Sequence, residues 1–444
     1  MKINKIETNI KRKLYMHETN NISLSPMSSN LETQIIKIIP KYEFQTILGF
    51  GGAITESSGH ALNTVNNNIF NEIIDKYFSK KGINYNFCRI PIGSCDFSID
   101  SYSYSYDKEL SDFNIKRDLK YIIPVIKSAQ NRNAKLQVIA SPWSPPAFMK
   151  SNYRLSLGGK LLKEYKQTWA NYLVKYINEY SKQNIQIEYM TIQNEPDAMQ
   201  PWESCQYTAE EEADLLKNYL YPTFKKKGLS TKFLIWDHNK DKILERAESI
   251  LIDNNSLNYA TGIAFHWYTG SHFEALDLLS KLFPNKLLFH TEGCTGYSKF
   301  KPDDELFNAE MYASEIIGDF NNGVNAFIDW NIVLEYNGGP NHAENYCNSP
   351  IMINKKHDGY IITPSFYYIA HFSKYIEPNA KRIYFQKFSE NISMTAFKNP
   401  DKSVIIILLN KTNSSIEYNL CYNNHVLHDN LDSHAIVTFV IKDV

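Results

Sequence analysis

No two cysteines stand at the close spacing that a zinc knuckle or a redox motif needs. Six are scattered along the chain, Cys88, Cys95, Cys205, Cys294, Cys347 and Cys421, with no CxxC among them. That argues against a cysteine zinc site and a disulfide framework alike, leaving free thiols in a reducing cytoplasm as the expectation. An excess of charge is equally lacking. The 47 Lys and Arg residues face 48 Asp and Glu, a net charge of −1, so there is no electrostatic footprint for nucleic acid or a membrane surface. Long apolar runs are missing as well. The longest aliphatic run, VIIILL at 404–409, falls far short of the roughly 18 residues of a membrane span and reads as a buried strand. The opening stretch, MKINKIETNIKRKLYMHETNN, is charged and polar, with no apolar segment or small-residue cleavage site, so a soluble cytoplasmic protein is expected.

Two further absences narrow the chemistry. The run Gly49-Phe50-Gly51-Gly52 invites a dinucleotide-binding reading, but the third glycine of GxGxxG would fall at Ile54, and the motif fails. A metal-dependent hydrolase would need a ligand cluster such as HxH, whereas the relevant stretch is His266-Trp267-Tyr268. No metal and no cofactor are expected.

What is present is alternation. At 444 residues the chain exceeds the roughly 250–300 residues that one core can organise, so a large and a smaller domain are the natural prior. Eight short apolar runs recur at 44–52, 86–93, 136–143, 187–193, 232–237, 262–268, 286–293 and 326–332, separated by amphipathic stretches such as NIFNEIIDKYFSK and HFEALDLLSKLF. Eight strand-helix units predict an α/β fold, a closed (β/α)8 TIM barrel over residues 44–379. Polar residues gather at the carboxyl ends of these runs, as a barrel mouth requires and an open sheet would not. Residues 380–444 instead show period-two runs, ISMTAF, VIIILL and AIVTFVI, which predict an antiparallel β module. The segment 1–43 is expected to contribute a strand to that module through LETQIIKII.

Two strand ends carry the chemistry. IEYMTI runs directly into Asn194, Glu195 and Pro196, and KLLFHTEG places Glu292 three strands further round the barrel. Cleaving a glycosidic bond needs a proton for the departing oxygen and a carboxylate to meet the charge that develops at the anomeric carbon. Two glutamates on opposite sides of one mouth supply that pair. A separation of roughly 5–5.5 Å gives direct attack and retention of configuration, and about 6.5–9.5 Å leaves room for water and gives inversion. Burial is expected to raise the Glu195 carboxyl while its partner is charged.

The stretches GFGGAITESSGHALN, RIPIGSCDFSIDSYSY, ASPWSPPAFMKSN, TIQNEPDAMQPWESC, FHWY, HTEGC, DWNIVLEYNGGPN and HFSKYI, in this order over nearly the whole chain, resemble glycoside hydrolase family 30, the glucosylceramidase family. The resemblance implies a barrel with a side β-sandwich built from both chain ends, and a retaining mechanism. It makes Glu195 the acid/base and Glu292 the nucleophile. Asn194 would hold the sugar 2-hydroxyl, and Arg89 would lie near the carboxylates. Asp96 and Trp143 would grip and stack on the terminal sugar, Trp330 and Asn345 would line the site, and His266 with Tyr268 would supply contacts from the sixth strand. Glu56 and His60 are either supporting residues of the first strand or polar groups at a helix start. The implied partner is a β-glucoside, on a glucosylated lipid or oligosaccharide, with a β-1,6-glucan or β-xyloside as the alternative. A barrel that binds carbohydrate without cleaving it would have lost one carboxylate, and neither is missing.

Overall fold

Eight parallel strands close on one another in sequence order. In the computed structural model, which describes residues 2–27, 31–296 and 305–442, they are β1 (Gly49–Ala53), β2 (Phe87–Ile92), β3 (Gln137–Pro142), β4 (Ile187–Thr191), β5 (Lys232–Asn239), β6 (Ala260–His266), β7 (Leu287–Glu292) and β8 (Ala326–Asn331). Parallel strands covered on both faces read as continuous apolar runs. Thus β2 and β8 are buried at every position, and the alternation was legible without the structure. Residues 44–46 differ from expectation. They end the strand Ile35–Thr46, which pairs in another sheet, and β1 starts only at Gly49.

The glycines of the GFGGA run are there for packing. A Cβ on Gly51 would sit 2.3 Å from the carbonyl oxygen of Phe87 on β2, so only glycine lets β1 approach its neighbour. The following helices are amphipathic and capped. Asn66 accepts from the amides of Asn68 and Ile69 to start the helix Asn67–Phe78, whose Ile69, Ile73, Ile74, Tyr77 and Phe78 are buried. A short parallel pair, Val333–Glu335 with Ile351–Ile353, brackets the loop that carries Asn345.

Contacts divide the chain into two compact units. One holds the described residues of 50–296 and 327–361, with the barrel mouth. The other holds those of 2–49, 305–326 and 362–442. This second unit includes the helices Glu305–Asn321 and Pro364–Ser373, which follow barrel strands in sequence. Its ten-stranded sheet runs Leu14–Thr19, Lys2–Asn9, Ala435–Lys442, Val404–Asn410, Ile392–Lys398, Lys381–Gln386, Ile35–Thr46, Ile416–Tyr422, His425–Leu431 and Ser25–Pro26. Ile3, Ile36, Ile406, Leu408, Val437 and Phe439 form part of its core. Four strands come from the amino-terminal segment where the sequence suggests one. In KINKIETN the only apolar residues are Ile3 and Ile6, which point to opposite faces of the strand, and the other buried positions are Thr8 and Asn9, too weak an apolar signal among lysines and glutamate. Among the described residues, no helix is long and apolar enough to cross a membrane.

Candidate active site

The carboxyl ends of the barrel strands bring a buried cation to the centre of the mouth. Arg89, in β2, has no solvent exposure. Its Nη1 donates to Glu292 Oε2 at 2.7 Å, and its Nη2 donates to Asn194 Oδ1 at 2.7 Å and to Asp237 Oδ2 at 2.9 Å. Its Nε donates to Ser141 Oγ at 3.0 Å. The guanidinium also lies 4.8 Å from the ring centroid of Trp143 and 5.5 Å from that of Trp330, favourable cation–π placements. Burial opposes its charge, yet the fields of Asp237 and Glu292 outweigh burial and hold the proton more firmly than usual.

Glu292 ends β7 and is held on both oxygens. Arg89 takes Oε2, and the Tyr268 hydroxyl donates to Oε1 at 2.9 Å. Gly293 follows because a Cβ there would come within 2.8 Å of the Trp267 ring. Across the mouth, Glu195 leaves β4 with a left-handed backbone, φ 48°, unusual for a residue with a side chain. Its amide donates to the carbonyl of Asp237 at 2.9 Å, and the amide of Asn194 donates to the carbonyl of Pro142 at 2.8 Å. Backbone bonds to both neighbouring strands therefore fix the turn.

His266, at the end of β6, sits between two carboxylates. Its Nδ1 is 3.2 Å from Glu195 Oε1 and its Nε2 is 3.1 Å from Asp237 Oδ1. Burial disfavours a charged ring, but the field of Glu292 and the hydrogen bonds to Asp237 and Glu195 outweigh it, pushing His266 up to about 9. Burial also pushes Glu195 up, as the sequence reading expects. The His266 hydrogen bond and the fields of His238 and His266 push harder the other way, so Glu195 stands below its ordinary value. That corrects the expected direction. The opposing partner is a histidine that burial alone does not reveal.

A cavity of about 220 Å³ opens over these groups, lined by Asp96, Trp143, Asn194, Glu195, Tyr268, Glu292, Trp330 and Asn345 among others. Trp143 and Trp330 stack on each other, ring centroids 5.6 Å apart, and form one wall. On the rim, Asn345 Nδ2 donates to Asp96 Oδ2 at 3.1 Å. Burial, with the field of Glu292, pushes Asp96 up to about 8. Eight of the ten residues singled out from sequence line this one space. Arg89 and His266 do not, and stand behind it with no exposure. His266, assigned to sugar contact from sequence, has both ring nitrogens directed at carboxylates instead.

Glu56 and His60 fall elsewhere. Glu56 takes the Arg117 guanidinium at 2.8 and 3.0 Å and the Ile99 amide at 3.0 Å, which anchors the segment following Asp96. His60 pairs with Glu335 at 3.3 Å. Sequence reasoning missed Asp237, which joins Arg89, His266 and Thr291. Arg89 and His266 hold its carboxyl well below the usual range despite burial. The signal was present, since KFLIWD ends an apolar run on an acid just as IEYMTIQNE and KLLFHTE do.

Glu195, His266 and Glu292 each bring one atom within 4.8 Å of the others, a composition that can hold a metal ion. The donor set does not fit one. Both Glu292 oxygens already take Arg89 and Tyr268, and both His266 nitrogens face carboxylates. The cluster is connected for moving protons and stabilising positive charge.

Comparison with known proteins agrees with this geometry. The Glycosyl hydrolase family 30 TIM-barrel domain matches residues 47–376, and the Glycosyl hydrolase family 30 beta sandwich domain matches 379–439. Putative glucosylceramidase 3 of Caenorhabditis elegans is 35% identical over 441 residues, covering 94% of this chain and 81% of that one. The crystal structure of SrfJ from Salmonella typhimurium superposes with a TM-score of 0.97 at 32% identity, covering 100% of both chains. The endo-beta1,6-glucanase BT3312 superposes with a TM-score of 0.88 at 27% identity, covering 99% of both. With both domains matched in order around this pair of carboxylates, the chain belongs to glycosyl hydrolase family 30.

Proposed function

We propose that the protein is a retaining β-glycosidase that removes a terminal β-glucosyl unit from a small or lipid-borne aglycone. Glu292 acts as nucleophile and Glu195 as acid/base. The observation that carries this reading is the spacing of the two glutamates. One oxygen of each lies within 4.8 Å of an oxygen of the other, which favours the closely spaced carboxyl pair of direct attack, roughly 5–5.5 Å apart, over the wider pair that an intervening water needs. Arg89 and Tyr268 aim the Glu292 carboxylate, and the aromatic wall of Trp143 and Trp330 offers a face to a sugar ring. Because Asn194 Oδ1 is taken by Arg89, its Nδ2 group is left to donate to a sugar hydroxyl. The first half-reaction forms a bond from Glu292 to the anomeric carbon as Glu195 protonates the departing oxygen. Water then attacks that carbon, breaking its bond to Glu292 and freeing the carboxylate, and gives a proton to Glu195.

A terminal glucosyl unit is favoured by the small volume of the cavity and by the likeness to a putative glucosylceramidase over 94% of the chain. β-1,6-Glucan hydrolysis is the second reading, supported by the similarity to BT3312. The test is sugar release from an aryl β-glucoside and from a β-1,6-glucan, side by side, with Glu292→Gln as control. Free glucose from the aryl glucoside, lost in Glu292→Gln, is the expected outcome. Internal oligosaccharides from the glucan would reverse the order of the two readings, and activity surviving in Glu292→Gln would remove Glu292 as nucleophile.

A further inference from the structure

An ionised carboxylate only accepts hydrogen bonds, so an imidazole placed between two ionised carboxylates carries a proton on both nitrogens. His266 is in that position, 3.2 Å from Glu195 and 3.1 Å from Asp237, and it has no exposure to water. Asp237 is itself fixed by three donors. Arg89 and His266 take one oxygen each, and the Thr291 hydroxyl donates to the His266-side oxygen at 2.6 Å. Its carbonyl holds the Glu195 amide. Trp236 and Asp237 both have a left-handed backbone, φ 74° and 55°. Such strain persists only where surrounding bonds over-determine the conformation. The other aromatic rings nearest to His266 are those of His238 and Tyr268, with centroids 6.4 and 6.0 Å away. Glu195, Asp237 and Glu292 favour its charge, and His238 opposes it.

We propose that His266, clamped by Asp237, is the store from which Glu195 draws the proton it gives to the departing oxygen; this rests on the reading of Glu195 as the acid. As the glycosidic bond breaks, one proton passes from His266 Nδ1 to Glu195 and from Glu195 to the leaving oxygen. The Glu292 carboxylate meanwhile bonds to the anomeric carbon. His266 ends neutral, with its remaining proton on Nε2 facing Asp237, and Glu195 ends ionised, ready to take a proton from the attacking water and return it to the ring. The field of Glu292 is the leading support of the His266 charge, and ester formation removes it. The nucleophile's own reaction therefore releases the proton that the leaving group needs.

The test compares wild type, His266→Gln and Asp237→Asn on octyl β-glucoside, whose alcohol needs a proton, and on 2,4-dinitrophenyl β-glucoside, whose phenolate leaves without one. In His266→Gln, kcat/KM on the octyl substrate should fall about 100-fold further than on the dinitrophenyl substrate, in the range of general-acid effects. In Asp237→Asn, the basic limb of the octyl kcat/KM profile should move to lower pH. Equal losses on both substrates in His266→Gln, or an unmoved basic limb in Asp237→Asn, would overturn the proposal. If either variant fails to fold, the other carries the test, and cleavage of the dinitrophenyl substrate reports a folded site with a competent Glu292. Wild type inactive on both substrates would instead sink the β-glucosidase reading itself.

Discussion

On the proposed roles of Glu195 and Glu292, single side chains decide whether the pair can act. Tyr268 gives Glu292 its only hydroxyl donor among the described residues, at 2.9 Å, and a hydrogen bond to a charged group is worth about 1.5–3 kcal/mol. Tyr268→Phe should therefore lower kcat on an aryl β-glucoside by about 10–100-fold, with little change in melting temperature. Asp96 makes a pH prediction. Its folded value, pushed up to about 8 by burial and by Glu292, lies above that of an unfolded aspartate, near 4. The folded state thus binds the extra proton between those limits. The stability that this group contributes is fully present at low pH and is lost as pH rises towards 8. Asp96→Asn should flatten the decline of melting temperature between pH 5 and 8. An unchanged slope would mean that the carboxyl is already ionised in the empty cavity.

Elements account for what the sequence could and could not reveal. Each barrel strand was legible because burial on both faces leaves an apolar run, and Glu195 and Glu292 were legible because each ends such a run. Asp237 ends one too, yet its meaning depends on Arg89 from β2 and His266 from β6, which only the closed barrel brings together. The same holds for the direction in which Glu195 is shifted. Burial is readable from a strand end, but a buried histidine two strands away is not. Glycine positions test the packing of strand on strand. With the Phe87 carbonyl 2.3 Å from any Cβ added to Gly51, Gly51→Ala must push β1 away from β2. A loss of about 1–3 kcal/mol is expected, the usual cost of overpacking, read as a lowered melting temperature. A neutral substitution would show that the strands have room to separate.

At the scale of the whole molecule, the second unit depends on residues far apart in sequence. His371, on the helix Pro364–Ser373, is fully buried and shares hydrogen bonds with Thr438 at 2.8 Å and Thr8 at 2.9 Å, so it joins the two ends of the chain. Burial pushes it down to about 3, well below an unfolded histidine near 6.5. Unfolding therefore takes up a proton between those values, and stability present above pH 6.5 is lost as pH falls towards 3. His371→Gln should reduce the acid sensitivity of melting between pH 6.5 and 4, and a parental slope would reject the assignment. In the sheet, Ala435–Lys442 lies between the first strand, Lys2–Asn9, and Val404–Asn410. During synthesis on a ribosome, then, Lys2–Asn9 emerges long before its partner strand Ala435–Lys442. The edge that Ala435–Lys442 covers stays unpaired until that strand is made, and nascent chains stalled before residue 435 should be the form most open to capture by chaperones.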